Sequence, residues 1–308
     1  MIISRRSFLK WTGLLGTASL VPVKARAWKS RAPQDPYGCL VDLSRCIGCR
    51  SCEGACNQAN NLPAPEKYFS DVTVFDKRRR PDDKAFTVVN SFHPGEVDVR
   101  GTLKPTFAKI QCMHCQDPGC ASACLTGAMS KKTNGAVHYD KDKCLGCRYC
   151  MIGCAFQMPA YEYSNGLTPR VMKCTFCSDR INNGQKPACA SVCPVEAITF
   201  GKRKDLLKLA EERMASEPGK YINHVYGKNE IGGTSWMYLS SVAFEKVGFL
   251  KMPTKPIPQT SETIQHTMFS YLWSPILLYG VLSVVLHRNH KKSDKHGKND
   301  KKDHPKGD

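Results

Sequence analysis

The chain has 308 residues, a formal net charge of +18 and seventeen cysteines. That length can bury a real core, so the cysteines are not the staples of a miniature disulfide scaffold. The basic excess is scattered, with +5 in residues 1–27, +4 from His287 to Asp308 and about +9 between them, which argues against a nucleic-acid-binding surface.

The first element is a leader. Ser4-Arg5-Arg6-Ser7-Phe8-Leu9-Lys10 precedes an uncharged stretch from Trp11 to Val23 and then Ala25-Arg26-Ala27. A basic start, an apolar middle and a small-residue cleavage site make a secretory signal, and the paired arginines place it in the twin-arginine class. Cleavage is expected after Ala27. The apolar middle is short for an uncleaved anchor.

Cys39 follows in the run GCLVDL, outside any cysteine group, and is expected to be a small buried hydrophobe. The other sixteen cysteines fall into four groups. The first is Cys46, Cys49, Cys52 and Cys56, and the second is Cys112, Cys115, Cys120 and Cys124. The third is Cys144, Cys147, Cys150 and Cys154, and the fourth is Cys174, Cys177, Cys189 and Cys193, followed by Pro194. Three cysteines separated by pairs of residues lie on a tight loop and can hold three corners of a cubane. The fourth, expected at a helix start and pointing the other way, ligates the neighbouring cluster of a two-cluster ferredoxin unit. Four groups make two such units and four 4Fe–4S clusters. Zinc ribbons would use four ligands per ion and leave half of each group idle. Four oxidised cubanes would supply roughly −8 of charge, nearly neutralising the body.

Between the first two groups lies an insertion, residues 57–111. DVTVF, AFTVVNSF and FAKIQC read as short strands separated by the polar KRRRPDDK loop, and are either a partner surface or a decorated loop. After the fourth group, KRKDLLKLAEERMA reads as an amphipathic helix with Leu206, Leu209, Ala210 and Met214 near one face, packed on a core. An extended segment then leads to Thr267–Leu286, twenty residues with no charge. At the helical rise these cover about 30 Å, the thickness of a bilayer core. Tyr271 and Trp273 suit its interfacial part, Pro275 is expected to bend it, and His266 and His287 bracket it. Arg288, Lys291 and Lys292 follow at once and mark the cytoplasmic side. The polar tail, residues 287–308, is expected to be disordered.

These motifs resemble the iron–sulfur subunits of respiratory complexes built around nickel–iron hydrogenases or molybdenum oxidoreductases, over nearly the whole chain. The resemblance implies that the first group pairs with the fourth and the second with the third. One cluster would then take Cys46, Cys49, Cys52 and Cys193, and its neighbour Cys56, Cys174, Cys177 and Cys189. The other unit would have Cys112, Cys115, Cys120 and Cys154, then Cys124, Cys144, Cys147 and Cys150. IQHT, HYDKDKCLGCRYCM and the lysine-rich tail are similar to the HybA-type subunit of periplasmic hydrogenase-2 complexes. MKCTFCSDRINNGQKPAC and HVYGKNEIGGTSWMYLS look more like the beta subunit of membrane-bound formate dehydrogenases. The export leader favours the hydrogenase type.

The expected fold is α+β: two ferredoxin-like units over residues 28–200 with the β insertion, a connecting segment over 201–266, and one transmembrane helix. The expected role is electron relay between an exported catalytic subunit, a nickel–iron hydrogenase or a molybdenum or tungsten oxidoreductase, and a quinone-reactive integral membrane subunit. The bulk would lie in the periplasm and the C-terminus in the cytoplasm. No nucleophile, base and oxyanion donors combine into an active site, so no catalysis of its own is expected. An intrinsic reductase would need an open coordination position, and a sensing module would need only one cluster.

Overall fold

The computed structural model describes residues 30–95, 97, 103–271 and 273–299. The leader lies outside the described residues. The chain divides into a unit spanning Ser30–Gln259 and a second that includes Thr260–Asp308.

The first unit is a mixed α and β body built on a three-stranded sheet. Its central strand β1 (Tyr37–Asp42) runs antiparallel to β8 (Ile198–Lys202) and parallel to β9 (Trp236–Leu239). Side chains alternate across a strand, so Leu40, Met237 and Leu239 share one face while Cys39, Val41, Trp236 and Tyr238 share the other. The first face is covered by the helix α6 (Arg203–Ser216), which buries Leu206 and Ala210 and partly buries Leu209 and Met214. The expected apolar stripe is therefore a core stripe. On the other face the main core adds Phe176, Ile181 and Cys189.

Three two-stranded ribbons complete this unit. They are β2 (Thr87–Phe92) with β3 (Thr106–Gln111), β4 (Met129–Lys131) with β5 (Val137–Tyr139), and β6 (Ala160–Tyr161) with β7 (Val171–Met172). The insertion thus has two of its three expected strands. The third, DVTVF, is instead a 3-10 turn, Val72–Asp76. The Asp71 carboxylate accepts a hydrogen bond from the Thr73 N–H, a local bond that competes with strand pairing.

Five short helices carry or adjoin the cysteines: α1 (Ser51–Ala59), α2 (Gly119–Ser122), α3 (Tyr149–Ile152), α4 (Ser178–Asn182) and α5 (Ala188–Ser191). α1 packs on α5 and α2 packs on α3. The second contact depends on missing side chains, since a Cβ on Gly119 would stand 2.4 Å from the Gly153 carbonyl oxygen.

The helices α7 (Ile257–Tyr271), whose first three residues belong to the first unit, and α8 (Trp273–Asn299) include a run, Ile257–Arg288, that is long and apolar enough to cross a membrane. Its expected apolar stretch, Thr267–Leu286, lies inside that run. α8 also continues through His287 to Asn299, where a disordered tail is expected. Once an apolar segment has nucleated a helix, lysine, arginine and histidine extend it at little cost.

Candidate metal centres

Each group begins with a tight loop that has a left-handed residue between its first two cysteines. Between the first two cysteines, Gly48, His114, Gly146 and Phe176 all have positive φ, from 48° to 71°. Glycine takes this conformation freely, whereas His114 and Phe176 hold it at a cost of about 1–2 kcal/mol each. The turn aims the backbone N–H of that residue at the first sulfur: Gly146 donates to Cys144 Sγ and Phe176 to Cys174 Sγ, both at 3.4 Å. Further donors reach Cys124 Sγ from Met129 N–H at 3.4 Å and Cys154 Sγ from Met158 N–H at 3.5 Å.

The third cysteine of every group lies on a short helix, Cys52 on α1, Cys120 on α2, Cys150 on α3 and Cys189 on α5. The fourth follows one turn later, so it stands towards or beyond the helix end rather than at the start that the sequence suggests. On α1 the i, i+4 separation places Cys52 and Cys56 at neighbouring positions of one face.

Tertiary packing then mixes the groups. A cavity between β1, the first loop and the chain after α5 is lined by Cys46, Cys49, Cys52 and Cys193 together with Val41, Val89 and Lys109. Burial pushes the Cys46 thiol up to about 11; the Gly48 N–H opposes this, and Cys193 and Cys49 add to it. Burial also pushes Cys56 up to about 12, offset in part by Lys109 and reinforced by Cys189 and Cys177. Cys115 is raised by burial and then by Cys154, Cys120 and Cys112. Cys150 is pushed up to about 11 by burial, then by Cys144, Cys124 and Cys147. Cys56, Cys112 and Cys174 share one small apolar cluster with Phe86, which joins the two halves of the cysteine array.

The donor set suits iron–sulfur clusters. It is all sulfur, and among the described residues no three His, Cys, Asp or Glu side chains converge as a single ion would require. Four thiolates crowded in a buried site repel one another, and a cationic iron core relieves that repulsion. An orphaned donor points the same way. His114 Nδ1 accepts from the Val137 N–H, so its proton sits on Nε2, which is buried without an acceptor. The Tyr139 hydroxyl is buried beside Cys144, and burial together with that thiol pushes it up to about 12.

Cys39 lies outside this array, fully buried in β1 opposite Trp236. A Cys39→Ala protein is expected to keep every cluster signal in electron paramagnetic resonance and to lose about 1 kcal/mol of stability from the vacated volume, measured by denaturant unfolding. Loss of one cluster would make Cys39 a ligand.

Two features escape motif reading. The insertion walls the first cysteine cavity, because Phe107 packs on Gly48 and Val89 and Lys109 line that cavity. Glu53 on α1 is buried and meets two guanidinium groups, Arg50 at 2.9 Å and Arg79 at 2.6 Å, while the Val89 N–H donates to Glu53 Oε1 at 2.6 Å. That network ties the first cysteine loop to the insertion. Its residues are far apart in sequence and carry no motif.

Residues 103–203 match the model of the 4Fe–4S dicluster domain family. A protein of Nitratidesulfovibrio vulgaris strain Hildenborough is 44% identical over 294 residues, covering 92% of this chain and 77% of that protein. The hydrogenase-2 operon protein HybA of Escherichia coli O157:H7 is 32% identical over 336 residues, covering 97% and 99% of the two chains. The iron–sulfur subunit of the nitrate-inducible formate dehydrogenase of Escherichia coli K12 is 35% identical over 246 residues, covering 79% of each.

Proposed function

Because the chain belongs to the HybA-type family of ferredoxin-like electron-transfer subunits with multiple 4Fe–4S clusters, we propose that it relays electrons through four of them in one hydrogenase or formate dehydrogenase type of complex. The ligand sets are Cys46, Cys49, Cys52 and Cys193; Cys56, Cys174, Cys177 and Cys189; Cys112, Cys115, Cys120 and Cys154; and Cys124, Cys144, Cys147 and Cys150. The observation that carries this is the cavity lined by Cys46, Cys49, Cys52 and Cys193, where three cysteines of the first group meet the last cysteine of the fourth. The packing of α1 on α5 and of α2 on α3 supports two tandem ferredoxin-like units in the same crossed arrangement.

Each cluster, when bound, supplies a reversible one-electron site. The protein's part is to hold sulfur ligands at fixed places, exclude water and offer N–H donors to the sulfurs, which together set the potential. The contact among Cys56, Cys112 and Cys174 makes the array continuous from one unit to the other. A continuous array is what a relay needs and a sensor does not.

Electrons pass between an exported catalytic subunit, a nickel–iron hydrogenase in the first reading, and a quinone-reactive integral membrane subunit. The twin-arginine leader and the span within Ile257–Arg288 support a body exported to the periplasm and anchored in the inner membrane, with the C-terminus inside. The likeness to formate dehydrogenase iron–sulfur subunits supports a second reading, with a molybdenum or tungsten enzyme as partner. Purification through this chain in mild detergent is expected to recover both partners. The chain itself should hold about sixteen iron and as much acid-labile sulfide. Nickel in the complex would establish the hydrogenase, and molybdenum or tungsten the alternative. Zinc without sulfide would overturn the relay.

A further inference from the structure

Lys109 is a cation in the middle of the protein. It sits on β3 opposite Val89, is 2% exposed, and donates from Nζ to Gln111 Oε1 at 2.8 Å. Its ammonium also stands 4.3 Å from the centre of the Trp236 ring. Neither partner carries a charge, and among the described residues no carboxylate pairs with it. An ammonium buried without an anion costs several kcal/mol, and such a group ordinarily neutralises instead. The neighbours of Lys109 that become anionic on binding iron are cysteines. It lines the cavity of Cys46, Cys49, Cys52 and Cys193. The Trp236 ring that it faces packs in one core with Cys52, Cys189 and Cys193. Those three cysteines belong to both proposed clusters of the unit formed by the first and fourth groups.

We propose that Lys109 is the shared counter-ion of these two clusters and holds both at a higher reduction potential than an uncharged side chain would. The physical reason is that reduction adds one negative charge to a cluster, and a fixed buried cation stabilises the reduced form more than the oxidised form. Lys109 is a positioning charge for electron transfer and not a ligand. The role rests on the ligand sets proposed above.

The test is a potentiometric titration of the intact, cluster-loaded complex, followed by electron paramagnetic resonance, for wild type, Lys109→Met and Lys109→Arg. Methionine keeps an unbranched chain without the charge, and arginine keeps the charge. In Lys109→Met, two of the four clusters should each lose about tenfold in their preference for the electron, a fall of about 59 mV, with the other two unmoved. Lys109→Arg should stay near wild type. No shift, a shift in one cluster only, or an equal shift in all four would overturn the shared role. If Lys109→Met fails to load clusters while Lys109→Arg loads them, the charge requirement stands. Equal loss in both variants makes Lys109 a packing residue and overturns the proposal. Iron and cluster counts on the wild type are a separate readout, and a deficit there would sink the ligand sets.

Discussion

Replacing Cys174 with alanine is expected to stop electron flow through the complex while leaving its catalytic subunit active. Cys174 is buried at the start of the fourth loop, accepts the Phe176 N–H and packs against Cys56 and Cys112. Alanine cannot ligate iron, so the cluster proposed for Cys56, Cys174, Cys177 and Cys189 should be lost and iron should fall from about sixteen to about twelve per chain. That cluster stands where the two halves of the array meet, so its loss leaves a gap. Removing even an outer-shell partner of a metal site costs about 10–100-fold in affinity or activity, and losing a whole cluster should exceed the upper figure for quinone reduction. Oxidation of the physiological donor with a soluble dye that accepts electrons directly from the catalytic subunit should persist. Retained quinone reduction would show that the relay does not pass through this site.

Truncating Glu53 should be the most damaging change outside the cysteines. Glu53→Ala leaves the buried Arg50 guanidinium and the largely buried Arg79 without their anion, a loss of about 3–5 kcal/mol in comparable buried pairs. Arg50 follows Cys49 directly and sits at φ 61°, so the first cysteine loop should loosen with it. The expected readouts are a lower midpoint in denaturant and faster loss of iron to a chelator. The pH dependence follows from the same contacts. Burial pushes the Glu53 carboxyl up, yet Arg79 and Arg50 outweigh it and hold it below its ordinary value. A depressed folded value contributes stability that is full above the unfolded carboxyl range and is lost as pH falls through the folded value. The stability gap between wild type and Glu53→Gln should therefore be widest near neutral pH and close as the solution is acidified into that range. A gap that widens on acidification would contradict the sign.

Local sequence determined a good part of this protein. Cysteine spacing announced the metal chemistry because ligands on one short loop must repeat at the intervals the loop allows. The apolar stripe of Leu206, Leu209, Ala210 and Met214 announced α6 because a helix repeats every 3.6 residues. The uncharged stretch ending at Leu286 announced a helix able to span a bilayer, by length alone. Such signals lie within a few turns of chain.

Tertiary structure decided what depends on distant segments meeting. It made the insertion a wall of the first cysteine cavity by seating Phe107 on Gly48. Cys193 came to the pocket of Cys46, Cys49 and Cys52 because β8 pairs with β1 and α5 packs on α1. The FAKIQC run contains a lysine that reads as an ordinary strand residue. Only the closure of β3 over the cysteine loops buries that ammonium beside Cys46, Cys49, Cys52 and Cys193, since a buried side chain is defined by neighbours that a linear sequence does not specify.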